Sequence, residues 1–124
     1  MTQAHVLIVE DDKGIRDILR LALESSGYTV RVAINGSDAL EALEREPADV
    51  IVLDVRMPVM DGFEFARRYS ARGGRARLIV LTAAQEMAQA QNEFAGARAI
   101  EKPFDLDRLL DAVADAAAAP TDGG

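Results

Sequence analysis

Five short apolar runs divide the chain, and each is rich in Val, Ile or Leu. Runs of this length are too short for a typical helix and are typical of strands buried on both faces of a parallel sheet. We therefore predict five strands, of which the last has the weakest pattern: residues 6–9, 28–32, 50–53, 78–81 and 97–100.

Apolar residues at helical spacing occupy the stretches between these runs. They follow all or part of the i, i+3, i+4, i+7 pattern of an amphipathic helix. The four stripes are Ile15, Ile18, Leu19 and Ala22; Ala39, Leu40 and Leu43; Phe63, Ala66 and Tyr69; and Leu106, Leu109, Leu110 and Val113. Alternating strands and helices predict an α/β fold of (βα)5 type. In this doubly wound, three-layer arrangement, helices cover both faces of a five-stranded parallel sheet.

The composition fits one globular domain and excludes several classes of function. The chain has 124 residues, 49% of them hydrophobic and 28% charged. A net charge of −7 disfavours attraction to nucleic acid or to an anionic membrane surface. The chain contains no cysteine, which excludes disulfides and thiolate metal sites. The first residues resemble no leader peptide, and no apolar run is long enough to span a membrane, so we expect a cytoplasmic protein.

Polar residues follow four of the five predicted strands at the point where each strand ends. They are Glu10, Asp11 and Asp12 after the first strand, Asp54 after the third, Thr82 after the fourth and Lys102 after the fifth. The carboxyl ends of parallel strands share one edge of the sheet, where such folds bind ligands. Several carboxylates at that edge repel one another unless a cation neutralises them. Mg²⁺ suits such a site best, because it accepts one or two carboxylates and keeps room for phosphate oxygens.

Lys102 and Thr82 extend this edge into a site for an anionic oxygen. An ammonium supplies a compact positive charge, and a hydroxyl donates a hydrogen bond. Phosphoryl transfer requires little beyond positioning and charge neutralisation, and a carboxylate can act as the nucleophile that forms an aspartyl phosphate. Asp54 is the candidate nucleophile, because it ends the strand predicted at the centre of the sheet.

The residues at the strand ends resemble those of a known family. The segments "IVEDD", "LDVRMPVMDG", "VLTA" and "EKPF" stand in the order found in the receiver domain of two-component response regulators. The resemblance covers residues 4 to about 118 and implies a flavodoxin-like receiver fold. We expect a receiver domain over residues 1–119 and a flexible tail or the start of a linker over residues 120–124.

The resemblance also implies a role for each residue. Asp54 would accept a phosphoryl group from the phosphohistidine of a sensor histidine kinase or of a histidine phosphotransfer protein, or from a small phosphodonor. Glu10, Asp11, Asp54 and the backbone carbonyl of Arg56 would bind Mg²⁺. Thr82 and Lys102 would hold the phosphoryl oxygens. Pro103 would follow a cis peptide bond, and Pro58 and Gly62 would shape the loop after Asp54. Homodimerisation on phosphorylation is possible, and neither nucleic-acid nor membrane binding is expected.

Alternatives remain at several positions. Asp12 is expected to cap the first helix, and Thr82 can cap the helix that follows it. A Mg²⁺-dependent phosphatase of the haloacid-dehalogenase type would resemble this pattern but requires a second aspartate where Arg56 stands. A pseudo-receiver that only binds partners is the other alternative.

Two features depart from the usual receiver pattern. Receivers usually carry an aromatic switch residue three positions before the lysine, where this chain has Ala99, and Ile100 replaces it only if the register shifts by one. Arg56 places a cation beside Asp54, while Ala84 offers no group that orients a hydrolytic water. We therefore expect a long-lived aspartyl phosphate.

Overall fold

The computed structural model describes residues 4–57, 59–94 and 96–118, which form a single parallel sheet flanked by helices. The strands are β1 (His5–Val9), β2 (Thr29–Ala33), β3 (Val50–Asp54), β4 (Arg77–Thr82) and β5 (Arg98–Glu101), in the order β2-β1-β3-β4-β5. The helices are α1 (Lys13–Ser25), α2 (Gly36–Arg45), α3 (Gly62–Ala71), α4 (Met87–Glu93) and α5 (Leu106–Ala118). A single 3₁₀ turn, Ala84–Glu86, precedes α4. Pro58 and the predicted tail, residues 120–124, lie outside the described residues.

The five predicted strands are confirmed, with shifts of one residue at several ends. All neighbouring strands are parallel, and β3 is central and buried along its whole length. The strand order reverses beside β1 and β3, so their carboxyl ends flank the crevice in which ligands of such sheets bind.

Two hydrophobic layers lie on opposite faces of the sheet. Successive strand residues point to opposite faces, so Leu7 and Val9 pack with α2, α3 and α4, whereas Val6 and Ile8 pack with α1 and α5. This layering confirms the doubly wound, three-layer arrangement. Within the described residues, no helix is both long enough and apolar enough to cross a membrane.

The residues of α1 that are buried differ from those that its apolar spacing predicts. Leu19 and Leu23 are buried against the sheet. Ile15 and Ile18, by contrast, are 39% and 59% exposed, and Leu21 is 68% exposed. Apolar residues occupy more than one side of this helix, so α1 exposes apolar side chains to solvent.

Side-chain hydrogen bonds stabilise the start of α1 and the end of α2. Asp12 caps α1 by accepting a hydrogen bond of 2.9 Å from the Ile15 backbone N–H, as predicted. At the C-terminal end of α2, the Arg31 guanidinium donates to the carbonyl oxygens of Ala42, Glu46 and Pro47 at 3.1, 2.7 and 3.2 Å. The Ala42 carbonyl also accepts the Glu46 backbone N–H at 3.1 Å, so Arg31 adds a second donor there and binds the two carbonyls that follow α2.

Candidate functional site

Three carboxylates converge at the carboxyl end of β1 and β3. Glu10, Asp11 and Asp54 each offer an oxygen within 4.8 Å of the others. The pairing of Val9 with Leu53 brings Glu10 beside Asp54, and a backbone hydrogen bond of 3.0 Å from Glu10 to Ala33 holds Glu10 in line with β2. Glu10 and Asp54 are buried, whereas Asp11 is exposed. The predicted convergence of these side chains is confirmed.

The surroundings of the buried Glu10 carboxylate favour the binding of a cation. Its Oε2 accepts a hydrogen bond of 3.1 Å from the Asp12 backbone N–H. Its Oε1 is buried and has no hydrogen-bond partner among the described residues. Burial, and next the neighbouring Asp54 carboxylate, raise the pKa of Glu10 to about 8. A hard divalent cation would accept Oε1 as a ligand and offset the repulsion between Glu10 and Asp54, so the donor set fits Mg²⁺.

Lys102 provides the positive charge at this edge. Its Nζ donates to Asp54 Oδ1 at 2.6 Å, the same oxygen that accepts a 3.2 Å hydrogen bond from the Arg56 backbone N–H. The Lys102 backbone N–H donates to the Thr82 carbonyl at 2.8 Å, which ties the end of β5 to β4. The Lys102-Pro103 peptide bond is cis, as expected from the resemblance.

Thr82 lies at the carboxyl end of β4, one strand away from Asp54. It is buried, and the β3–β4 register pairs Asp54 with its neighbour Leu81. The Thr82 hydroxyl makes one long contact of 3.4 Å to the Ala83 carbonyl, well beyond the usual distance of about 2.8 Å for two oxygens. The alternative that Thr82 caps the next helix is not supported, since Ala83 is the N-cap residue of the following 3₁₀ turn, which has no side-chain cap.

The start of α3 packs directly against the backbone that carries Asp54. A Cβ on Gly62 would lie 2.8 Å from Val55 Cα and 3.0 Å from the Asp54 carbonyl oxygen. The Gly62 backbone N–H donates to the Val55 carbonyl at 2.9 Å. Only glycine permits this approach, so Gly62 shapes the loop after Asp54 as expected.

A role for Arg16 was not predicted from the sequence. Its side chain extends from α1 and contacts the loop that carries Glu10 and Asp11. Its guanidinium donates to the backbone carbonyls of Glu10 and Asp11 at 3.0 and 3.2 Å. The one signal in the sequence is spacing, because a residue one turn beyond the helix cap Asp12 can reach back to the loop. Arg16 thus orients the backbone of two predicted metal ligands.

The β4–β5 register decides between Ala99 and Ile100. Ala99 pairs with Val80, which packs on the α4 side of the sheet, whereas Ile100 pairs with Leu81 on the opposite face. Ile100 therefore cannot replace the usual aromatic residue. Ala99 stands in that position, and its methyl group has no rotamer to change.

A doubly wound parallel sheet with an acidic cluster and a lysine at its carboxyl edge defines a receiver domain. The chain matches the response regulator receiver domain family over residues 6–114 and belongs to that family, so it is a receiver of two-component signal transduction.

Two curated relatives agree with this assignment. Sporulation initiation phosphotransferase F of Bacillus subtilis (strain 168) is 36% identical over 115 residues, covering 91% of this chain and 93% of that protein. Response regulator MprA of Mycobacterium ulcerans (strain Agy99) is 38% identical over 111 residues, covering 86% of this chain and 47% of MprA. The chain thus spans nearly all of the first relative and about half of the second.

Solved structures have the same fold. The receiver domain of the Francisella response regulator 1452 has a TM-score of 0.86 at 27% identity, with 93% of this chain and 97% of that chain covered. The chemotaxis protein CheY4 of Vibrio cholerae has a TM-score of 0.80 at 33% identity, with 93% and 99% covered.

Proposed function

We propose that Asp54 is the phosphoacceptor of this receiver and that Glu10, Asp11, Asp54 and the Arg56 carbonyl bind Mg²⁺. One observation carries the proposal. The buried Asp54 carboxylate lies 2.6 Å from the Lys102 ammonium and within 4.8 Å of two further carboxylates. Mg²⁺, when bound, would neutralise charge on the carboxylate and phosphoryl oxygens.

The proposed reaction is transfer from phosphohistidine to aspartate. An oxygen of Asp54 attacks phosphorus, the P–N bond breaks, and its electron pair returns to the donor imidazole, leaving an acyl phosphate. Lys102 then donates a hydrogen bond to a phosphoryl oxygen, and the Thr82 hydroxyl rotates from its long contact with Ala83 to donate to another. The chain acts as a regulatory acceptor, not as a phosphatase, because Arg56 occupies the position of the acid/base aspartate.

The proposed donor is a sensor histidine kinase or a histidine phosphotransfer protein. Three apolar side chains, Ile15, Ile18 and Leu21, are exposed on α1, the helix that follows the loop carrying Glu10 and Asp11. A partner packed on this surface would bring its phosphohistidine to the same edge of the sheet. A small phosphodonor needs no such surface, so Ile18→Ser should slow transfer from a phosphohistidine protein and leave acetyl phosphate as effective as before.

The proposal is tested by modifying Asp54. We expect incubation with Mg²⁺ and acetyl phosphate to add the mass of one phosphoryl group, and beryllofluoride to form the corresponding adduct. Asp54→Asn, which has nearly the same shape, is the matched control and should give no adduct. An unmodified wild type, or an adduct retained by Asp54→Asn, would contradict the proposal. Gel filtration of the same samples shows whether phosphorylation promotes a homodimer.

A further inference from the structure

An ion pair joins the loop after Asp54 to the 3₁₀ turn that precedes α4. Arg56 Nε donates to Glu86 Oε2 at 2.7 Å. The two partners differ in exposure, since the Arg56 side chain is 71% exposed and that of Glu86 only 14%. The guanidinium is thus accessible from solvent, whereas the carboxylate is largely enclosed by protein.

Glu86 depends on this arginine. Its second oxygen, Oε1, is buried without a hydrogen-bond partner among the described residues. Without Arg56, this largely buried carboxylate would have no ion pair or hydrogen bond to the part of the chain that the structure describes, which is costly. The ion pair therefore stabilises the present position of Glu86.

The segment that Glu86 anchors has no side-chain cap where its 3₁₀ turn or its helix begins. The helix is α4, which starts one residue after Glu86. This helix has only seven residues, too few to be stable by itself. Loss of the ion pair should therefore loosen residues 84–93.

Arg56 is also next to the proposed phosphorylation site. Its backbone N–H donates to Asp54 Oδ1 at 3.2 Å, so its side chain begins within a few Å of the carboxylate. A phosphoryl group there would add up to about two negative charges and several acceptor oxygens. Guanidinium groups bind phosphoryl oxygens through two parallel hydrogen bonds, more strongly than through one bond to a carboxylate.

We propose that a phosphoryl group on Asp54 competes with Glu86 for the Arg56 guanidinium, and that this competition transmits phosphorylation to residues 84–93. The inference rests on the proposed phosphorylation of Asp54. It gives this chain a route of signal transmission that needs no aromatic residue at position 99. In the unmodified protein Arg56 holds the segment in place. In the modified protein the arginine turns to the phosphoryl group and the segment becomes more mobile.

Amide hydrogen exchange of residues 84–93 tests this route. In wild type, Mg²⁺ and beryllofluoride should speed exchange about fivefold, as expected for loss of one favourable ion pair. Glu86→Gln removes the charge but keeps the shape, so its exchange should be fast before treatment and should gain nothing from the adduct. Arg56→Gln breaks the pair from the other side and should behave in the same way.

Glu93→Gln is the matched control. It breaks the ion pair between α3 and α4, from Arg67 to Glu93 at 2.9 Å, which lies in the same segment but does not involve the loop after Asp54. This variant should keep the wild-type response to beryllofluoride. Unchanged exchange in wild type despite a mass-verified Asp54 adduct would overturn the inference alone, as would a wild-type response in Glu86→Gln. Absence of the adduct would overturn the proposed function and the inference together.

Discussion

Glu10 makes the stability of the Mg²⁺-free protein depend on pH. Burial and the Asp54 carboxylate raise the pKa of Glu10 from 4.5 to about 8. Unfolding returns Glu10 to water, so between these values the unfolded chain has released a proton that the folded chain keeps. The resulting stabilisation is fully present below 4.5, the pKa of Glu10 in the unfolded chain. It is lost as pH rises through about 8, the pKa of Glu10 in the folded chain. The perturbation we consider is Glu10→Gln, which removes this proton equilibrium while keeping the shape.

The size of the effect follows from the proton balance. One proton changes the free energy of unfolding by about 1.4 kcal/mol per pH unit. From about pH 5.5 to about pH 7, wild type should therefore lose about 2 kcal/mol, a large part of the roughly 5–15 kcal/mol typical of a domain. Asp17 and Glu64 have pKa values shifted down by ion pairs with Lys13 and Arg68, so they titrate below this range.

Urea unfolding followed by circular dichroism measures the effect, with EDTA present throughout. We expect Glu10→Gln to lose much less stability over this range and to exceed wild type increasingly as pH rises. Adding Mg²⁺ should restore wild type and have little effect on the variant. Wild-type stability that stays level or increases from about pH 5.5 to about pH 7 without Mg²⁺ would refute the reasoning.

Three further changes have defined outcomes. Arg16→Ala removes two hydrogen bonds to the acidic loop and should weaken Mg²⁺ binding about tenfold, and a nuclear magnetic resonance titration that gives unchanged affinity would contradict this. Gly62→Ala forces a Cβ against Val55 and should lower the free energy of unfolding by about 1–3 kcal/mol, as measured in urea. Arg56→Asn combined with Ala84→Glu should shorten the lifetime of the aspartyl phosphate, and an unchanged decay rate would argue against a role for these positions.

The sequence predicted the fold and the convergence of the acidic residues for a simple physical reason. Parallel strands bring their carboxyl ends to one edge, so Asp54 and Lys102 meet although they are 48 residues apart. The buried face of α1 was harder to predict, because its apolar residues surround more than half of the helix. Spacing alone does not distinguish Leu19, which is buried, from Ile18, which is exposed.

Contacts between charged side chains of the loops could not be predicted. Arg56 and Glu86 are 30 residues apart, and nothing in the local pattern around either residue indicates the other. Their pairing depends on how far the loops after β3 and β4 extend beyond the edge of the sheet. The same limit applies to the three carbonyl contacts of Arg31, which depend on how α2 lies against the sheet.

The positions of the two buried carboxylates depend on the lengths of β1 and β3 and on the register between these strands. Glu10 and Asp54 lie side by side because Val9 pairs with Leu53, and the side-chain direction alternates along each strand. Inserting or deleting one residue in either strand would turn its terminal carboxylate to the other face of the sheet. Such a change would separate the two acids even though every residue type was retained, so the chain should tolerate many conservative substitutions here but no single-residue insertion.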